Sequence, residues 1–364
     1  MTKLDRRALN RALLARQHLL ARKETKPLKV IEDLVGLQAQ QPKPPYVGLW
    51  SRVKGFKPEL LSAHYRALEA VRVTAMRGTL HTMSGADYLG LRRCLQPGLN
   101  AGMKSILRDR LQGLDQPEVE AEARRFLGKG AKTFEEVRAH LIQRFPKGDE
   151  RAMGFVVRMS LPLLMEPTTD RWTFPPDAAF ALAEPKLKGK LAPSSGPEAL
   201  ILRYLAAFGP ASVADAQAWS GLGGLKPSFE ALRSKLVCFQ DDKKRELFDL
   251  PEAPRPDGEA EAPLRFIADF DNLVLGHEDR RRIVDDAHRS QVVTKNLLVR
   301  ATFLVDGFVA GIWSVAAKKK VATMTLTPFV KLSKKTLAGL EQEAAGLFSM
   351  LEPEATQTAV VLES

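Results

Sequence analysis

Apolar residues recur at helical spacing along most of this chain, and strand-like stretches are confined to short segments between them. Helical spacing predicts helices over residues 5–22, 58–70, 134–144, 150–161, 198–208, 213–219, 228–236 and 334–351. Stretches typical of paired strands, at 71–83, 165–174 and 237–250, each follow a group of helices. Helices followed by a hairpin are typical of winged helices, relatives of the helix-turn-helix domain that commonly bind DNA.

Two linker-like stretches divide this pattern. Residues 192–197 (Ala-Pro-Ser-Ser-Gly-Pro) lack any periodicity, and residues 251–263 are rich in proline and acidic side chains. Beyond them, short strands predict a small mixed domain or a barrel. We therefore predict an α+β fold of tandem winged-helix (helix-turn-helix) domains followed by a β-rich C-terminal domain. The predicted domains span residues 1–112, 113–192, 193–256 and 257–364.

Three glutamines crowd the stretch Leu37-Gln38-Ala39-Gln40-Gln41-Pro42. Pro27 suits a first helical turn, and the apolar residues behind it predict a helix that Pro42 ends. Gln38 and Gln40 then lie on its last turn, where a spacing of two sets side chains about 200° apart. Both amides can reach one point only if the helix ends between them or soon after. The alternative is that they cap free carbonyls at a helix C-terminus.

The chain of 364 residues is long enough for several domains, and its 45% apolar content suffices for hydrophobic cores. Its net charge is +12, and this charge is unevenly placed. Residues 1–110 carry 21 Lys and Arg against 8 Asp and Glu, whereas the remaining residues carry 34 against 35. This surplus of positive charge in residues 1–110 predicts that the domain with the glutamines binds the phosphates of double-stranded DNA. An acidic protein or an anionic membrane surface is the alternative partner.

Cysteine usage and the apolar segments argue against several classes of protein. Cys94 and Cys238 are the only cysteines, and they form neither a disulfide framework nor a zinc-ligand spacing. We predict no metal, no organic cofactor and a cytoplasmic location. No signal peptide is recognisable, and Asp306-Gly307 interrupts residues 301–317, which argues against a membrane span. No heptad segment is present, so we expect a monomer.

Several stretches, in their order along the chain, resemble one known family. They are residues 35–42 followed by 45–52, Met76-Arg77-Gly78-Thr79-Leu80-His81, and residues 270–280, 305–307 and 311–313. Together they are similar to the AlkZ/YcaQ-type winged-helix DNA glycosylases over nearly the whole chain. In that family a Gln–apolar–Gln or Gln–apolar–Asp triplet is catalytic, which implies catalytic roles for Gln38 and Gln40. The Asp form is the broader in substrate range, whereas the Gln form resembles members tied to bulky crosslinks.

The same resemblance implies residues that contact DNA. We expect such contacts from Arg52, Arg72, Arg77, His81 and Arg280. A packed position in the hairpin is the alternative for His81. The block Asp271, Asn272, His277 and Arg280 matches the family without revealing its role, and a structural hydrogen-bond network is the alternative there.

The implied function is that of a monofunctional DNA glycosylase that hydrolyses the N-glycosidic bond of N7-alkylated purines, with interstrand crosslinks among its candidate substrates. An N7-alkylated guanine is already cationic, so its departure does not need the general acid of ordinary glycosidases. A glutamine carbonyl oxygen can hold the attacking water while its NH2 group donates to a phosphate or sugar oxygen. The alternatives are a non-enzymatic winged-helix DNA-binding protein, such as a transcriptional regulator, and a scaffold that binds an acidic protein.

Overall fold

The computed structural model of the protein describes residues 2–194, 196–296 and 298–363 and is a mixed α+β structure. Ser195, inside the predicted linker at 192–197, lies outside the described residues. The α-helices are α1 (Arg6–Arg16), α2 (Pro27–Asp33), α3 (Pro44–Trp50), α4 (Pro58–Arg66), α5 (Gly85–Leu107), α6 (Gln116–Leu127), α7 (Phe134–Arg144), α8 (Glu150–Ser160), α9 (Ala183–Lys186), α10 (Glu198–Phe208), α11 (Val213–Ser220), α12 (Lys226–Leu232), α13 (Asn272–Leu275), α14 (Arg289–Val292) and α15 (Lys334–Leu351).

The strands of the described residues form three sheets. They are β1 (Thr2–Lys3), β2 (Leu37–Gln38), β3 (Ala70–Thr74), β4 (Leu80–Ser84), β5 (Leu163–Met165), β6 (Phe180–Leu182), β7 (Val237–Gln240), β8 (Glu246–Asp249), β9 (Arg265–Ile267), β10 (Thr302–Val305), β11 (Phe308–Lys318), β12 (Val321–Pro328) and β13 (Gln357–Leu362). None of the described helices has both the length and the apolar character that a membrane crossing needs.

A five-stranded sheet in the order β2-β4-β3-β5-β6 carries the glutamine stretch at its edge. β3 and β4 form the hairpin predicted over 71–83. Val73 of β3 pairs with Leu164 of β5, so the sheet continues into the region predicted as the second domain. The hairpin predicted over 165–174 is wrong, since β5 ends at Met165 and pairs with β6. Prolines in the segment between β5 and β6 cannot donate to a strand ladder, which accounts for the loop there.

The helix predicted to run from Pro27 to the glutamines ends at Asp33, so the prediction that Gln38 and Gln40 lie on a helical turn is wrong. Val35 and Gly36 both have positive φ, which stops the helix. A Cβ atom at Gly36 would lie 2.9 Å from the carbonyl oxygen of Thr82, so only glycine fits there. The chain then extends as β2, and pairing with β4 replaces the helical hydrogen bonds.

Residues 198–249 follow the prediction closely. α10 has the predicted bounds, the Ser212 side chain caps α11, and β7 and β8 form the predicted hairpin. At the N-terminus, α1 is shorter than the predicted helix over 5–22, since its cap is Gln17. β1 pairs in parallel with β7, so the first residues of the chain join the region predicted as the third domain.

The C-terminal sheet has the order β13-β12-β11-β10-β9 and is open in the described part of the chain, so the barrel alternative is not realised. α15 has the predicted bounds and contacts β9 and β13. One core of buried apolar side chains runs through this sheet, the glutamine-bearing sheet and α10–α12. A second, smaller core lies among α5–α8.

Basic residues near the N-terminus pair with carboxylates from residue 242 onward. Arg16 bonds Asp249 at 2.6 and 2.8 Å, and both side chains are buried. The further pairs are Lys3–Asp242, Arg6–Asp285, Arg7–Asp306, Arg11–Asp306, Arg22–Glu343 and Arg52–Asp271. Much of the positive surplus of residues 1–110 is therefore balanced within the molecule, and the surplus overstates the charge that faces solvent.

Candidate active site

The triplet Gln38-Ala39-Gln40 lies against β4, with Gln38 as the last residue of β2 and Gln40 at a bend. The backbone N–H of Ala39 donates to the carbonyl of Leu80 at 2.7 Å. Gln38 is largely buried and Gln40 is exposed, while Ala39 between them is fully buried. β2 ends at Gln38 and Gln40 lies at a bend, so the end of a strand, and not the end of a helix, carries the two glutamines.

Arg72, on β3, fixes the backbone of this triplet. Its Nε donates to the carbonyl of Ala39 at 2.9 Å, and its Nη2 donates to the carbonyl of Gln40 at 3.0 Å. The side chain is 4% exposed, and burial lowers its pKa to about 10. The predicted DNA contact of Arg72 is therefore corrected, because its guanidinium is enclosed and bonded to the main chain of the site.

Arg77 connects the triplet to two other regions. Its Nη2 donates to Oε1 of Gln38 at 2.7 Å and to Oδ1 of Asn272 at 3.0 Å, and its Nη1 donates to the carbonyl of Trp219. Its backbone is left-handed, with a φ of 56°. Burial, and then the nearby charge of Arg280, lowers its pKa to about 10, so it is charged at neutral pH. No carboxylate pairs with Arg77 among the described residues.

His81 lies on β4 directly opposite Gln38 and is fully buried. Its Nδ1 is 3.1 Å from the carbonyl of Thr79, which makes Nδ1 the protonated nitrogen. Its Nε2 is buried and has no hydrogen-bond partner within the described ranges. Burial, and then the charge of Arg77, lowers the pKa of His81 to about 3, so the ring is neutral. The packed alternative for His81 is therefore correct, and the predicted DNA contact is not.

Arg52 is fully buried, and its guanidinium donates two hydrogen bonds of 2.8 Å to Asp271. The Asp271 side chain also accepts from the N–H of Leu273 and so caps α13. The prediction that Arg52 contacts DNA is wrong, because this ion pair lies in the interior. Its effect is to fix the start of α13, which carries Asn272 of the site.

Two more residues of the late block make internal hydrogen bonds, as the structural alternative expects. The Oδ1 of Asn272 accepts from Arg77, and its Nδ2 donates to the carbonyl of Gly36 at 3.4 Å. His277 donates through Nε2 to a backbone carbonyl at 2.9 Å, and burial lowers its pKa to about 3. Arg280 differs, because its buried Nε has no hydrogen-bond partner in the part of the chain described. Its contact with DNA stays a prediction.

The turn after α11 contributes to the site in a way that sequence reasoning missed. The Trp219 carbonyl that Arg77 bonds lies near the end of α11, and Gly221 follows with a φ of 78°. A Cβ atom on Gly221 would lie 3.1 Å from the backbone of Arg77. The glycine cluster at 221–224 does signal a tight turn. A backbone carbonyl that accepts from a remote arginine leaves no mark in the sequence.

The chemistry of the site is that of amides, a neutral imidazole and guanidinium groups. Within the described residues, no group of three or more His, Cys, Asp or Glu side chains is placed to hold a metal ion. The prediction of no metal and no organic cofactor remains a prediction. Such a site can orient water and bind oxygen-rich or anionic groups, since amide and guanidinium N–H groups are donors.

Comparison with known proteins identifies the family. A family model for DNA glycosylase AlkZ-like proteins matches residues 31–350. The chain is 24% identical over 354 residues to an interstrand DNA cross-link repair glycosylase of Streptomyces sahachiroi, covering 91% of this chain and 92% of that protein. The solved structure of Streptomyces sahachiroi DNA glycosylase AlkZ has the same fold, with a TM-score of 0.82, 21% identity and 100% of both chains covered. The resemblance seen in the motifs is confirmed, and the chain belongs to the AlkZ-like DNA glycosylase family.

Proposed function

We propose that this protein is a monofunctional DNA glycosylase that hydrolyses the N-glycosidic bond of N7-alkylated purines in double-stranded DNA. The observation that carries the proposal is the pair of neighbouring glutamines, with the backbone of the triplet fixed by Arg72 and the side chain of Gln38 fixed by Arg77. Family membership favours this function over that of a non-enzymatic transcriptional regulator.

The charge of an alkylated base suits a site built from amides. Alkylation at N7 makes the purine cationic, so the bond to the sugar breaks without the leaving-group protonation that ordinary glycosidases provide. Gln38 and Gln40 would orient water and DNA at the sugar carbon, and such positioning lowers the barrier of the reaction. Because neutral amides are weak bases, the pair acts on labile, charged lesions and leaves normal nucleotides intact.

Interstrand crosslinks are proposed as substrates on two grounds. The Streptomyces sahachiroi relative is named as an interstrand DNA cross-link repair glycosylase. The triplet of this chain is Gln38-Ala39-Gln40, the form that resembles members tied to bulky crosslinks. A guanine bound covalently to both strands cannot rotate out of the duplex as base flipping requires. The exposure of Gln40 suits an approach to such a base from outside the duplex.

We further propose that three groups of elements bind DNA as tandem winged-helix units. They are α2–α4 with β3 and β4, α6–α8 with β5 and β6, and α10–α12 with β7 and β8. In each, three helices precede two antiparallel strands. Exposed basic residues without an ion pair in the described structure supply positive charge within residues 1–110: Lys26, Lys57, Arg66, Arg93, Lys104 and Arg108. The protein is proposed to act as a monomer in the cytoplasm.

Base release from a duplex oligonucleotide with a single N7-methylguanine tests this function. We expect the purified protein to release N7-methylguanine in the presence of a chelator and to leave an abasic site, which alkali converts to a strand break. The controls are an unmodified duplex and the Gln38→Ala/Gln40→Ala double variant. Tight binding without release, both from this duplex and from one crosslinked through N7 of guanine, would favour the regulator.

A further inference from the structure

We propose that Arg77 orients the Gln38 side chain so that its NH2 group, and not its carbonyl oxygen, faces the bound DNA. The inference rests on the proposed function and changes the role of Gln38 within it. Gln38 would be a hydrogen-bond donor to an oxygen of the DNA rather than the acceptor that holds the attacking water. Arg77 would then be a positioning residue that acts through Gln38.

The orientation follows from the donor chemistry of arginine. A guanidinium group has five N–H donors and no acceptor, so the amide atom that it bonds must be oxygen. The Nη2 of Arg77 lies 2.7 Å from Oε1 of Gln38, within normal hydrogen-bond distance. The Nε2 of Gln38 makes no hydrogen bond within the described residues. It is therefore the atom of this amide that remains available to a ligand.

Arg77 is itself fixed on several sides. It donates to Oδ1 of Asn272 and to the carbonyl of Trp219, in addition to Gln38. Asn272 cannot rotate freely either, because its NH2 group donates to the carbonyl of Gly36. The backbone of Gly221 packs against that of Arg77. With its donors engaged in this way, the guanidinium cannot turn away from Gln38 without losing several bonds.

Gln40 has a similar arrangement. Its Oε1 faces the backbone N–H of Leu80 at 3.4 Å, a long contact that nevertheless requires oxygen on that side. Both glutamines therefore bond through oxygen and keep NH2 groups that make no hydrogen bond within the described residues. Arg77 adds positive charge behind them, and Arg280 is close enough to lower the pKa of Arg77. Two donors backed by unpaired positive charge favour a phosphate oxygen over a neutral sugar oxygen as their partner.

A Gln38→Glu variant tests the orientation, because glutamate has the shape of glutamine but carries no N–H donor. It also retains the bond to Arg77, so the fold should persist. We expect the single-turnover rate of base release to fall by roughly 10²-fold, the scale seen when a positioned donor is removed. DNA affinity should fall as well, by more than in Gln38→Ala, since a carboxylate repels phosphate. If the carbonyl oxygen held the water, glutamate would be the better acceptor, and an unchanged or raised rate would overturn the inference.

The matched control is Gln41→Glu, which adds the same charge at an exposed neighbouring position. It should stay within about 3-fold of wild type in rate and affinity, as screened surface charges have small effects. An equal loss in both variants would show that charge alone matters and would contradict a specific donor. A neutral methylphosphonate next to the lesion, compared with the natural phosphate, identifies the partner. If wild type and Gln38→Ala bind the methylphosphonate duplex with equal affinity, the partner of Gln38 is the phosphate. If their affinities still differ on that duplex, the partner is a sugar oxygen, and the phosphate assignment is overturned.

The positioning role of Arg77 has its own readout. Arg77→Lys keeps one charged donor for Oε1 of Gln38. In Arg77→Gln the side chain of Gln38 can rotate so that its oxygen and its NH2 group exchange places. We expect Arg77→Lys to retain more of the single-turnover rate than Arg77→Gln at similar melting temperature. Equal rates in the two variants would contradict positioning through Gln38. If wild-type protein bound the duplex without releasing base, the proposed function would be refuted. The orientation of the Gln38 amide would still be decided by comparing the DNA affinities of Gln38→Glu and Gln38→Ala.

Discussion

Each glutamine of the candidate active site is held by an arginine. Arg77 bonds the side chain of Gln38, and Arg72 bonds the backbone carbonyl of Gln40. The amide of Gln38 thus gains a fixed direction from a charged group, and the backbone of Gln40 is fixed by another, while neither glutamine carries a charge of its own. Neither glutamine contributes an apolar side chain to the core, so the framework does not depend on them.

We expect Gln38→Ala and Gln40→Ala each to lower the rate of base release by roughly 10²-fold or more, because reactant positioning contributes on this scale. Melting temperature should change little, since neither residue supplies core packing, and DNA affinity should fall by less than in Gln38→Glu, since alanine adds no negative charge. Rates and melting temperatures measured on the same variants check this. Full activity with stability lowered by about 1 kcal/mol would show that the glutamines only satisfy hydrogen-bond donors within the protein.

Replacing Arg52 should affect stability and not DNA recognition. Arg52→Ala leaves Asp271 charged and unpaired in the interior, which should lower the free energy of unfolding by about 3–5 kcal/mol in a urea titration. The control is Lys54→Ala, because Lys54 pairs with Glu24 at an exposed position worth about 1 kcal/mol or less. An Arg52→Ala protein of normal stability with weakened, salt-dependent DNA binding would restore Arg52 as a DNA contact.

At this scale the resemblance to the family selects candidate residues, whereas their partners are not visible in the sequence. Gln38, Gln40 and Arg77 are chosen from the family motifs, and the structure places Gln38 in contact with Arg77, while their roles stay predictions. Whether an arginine reaches solvent is not visible in the same way. Arg52 is enclosed because Asp271 pairs with it across 219 residues, and such a separation leaves no local pattern.

Among the elements, β2 shows where local patterns fail. The spacing of Val30, Leu34 and Leu37 is helical, yet the helix ends at Asp33 because strand pairing with β4 is stronger than the local preference. Register between distant strands is set by the partner strand and not by the segment itself. α10 and α15, in contrast, are predicted to the residue, because their apolar spacing and end signals lie within the helices.

The turn after α11 gives a prediction for an element that contacts no substrate. Gly221 and Gly224 both have positive φ, so alanine at either should lower stability by about 1 kcal/mol. Only at Gly221 would the new methyl group meet the backbone of Arg77, whereas nothing lies within 4 Å at Gly224. Gly221→Ala should therefore lower the base-release rate by about 10-fold or more, as small misplacements do. Equal rates in the two variants would contradict a link between this turn and the site.

For the whole molecule, buried histidines make stability depend on pH. The pKa values of His81 and His277 are lowered by burial to about 3, against an ordinary value near 6.5. Between pH 3 and pH 6.5 the unfolded chain therefore binds more protons than the folded protein. The contribution of the neutral histidines to the stability of the folded protein is full above pH 6.5 and is lost as the pH falls towards 3. We expect the free energy of unfolding to fall by roughly 1–2 kcal/mol per histidine between pH 7 and pH 5.

Urea titrations at several pH values measure this slope. The His81→Gln variant should show a shallower slope than wild type over the same range, because it lacks one of the two groups. A slope that is identical in the two proteins would contradict the neutral state of His81. The rate of base release should show no inflection near pH 6.5 from this residue, since its ring stays neutral throughout.

The ion pairs that join the two ends of the chain also determine when the active site can form during synthesis. The carboxylate partners of Arg11, Arg16 and Arg52 lie 295, 233 and 219 residues further along. Chains leave the ribosome N-terminus first. Because an unpaired arginine is costly to bury, the interior around Arg52 cannot close until Asp271 has emerged. A nascent chain that already contains both glutamines therefore still lacks the partners that fix them, and damaged DNA would meet the completed candidate site only late in biosynthesis.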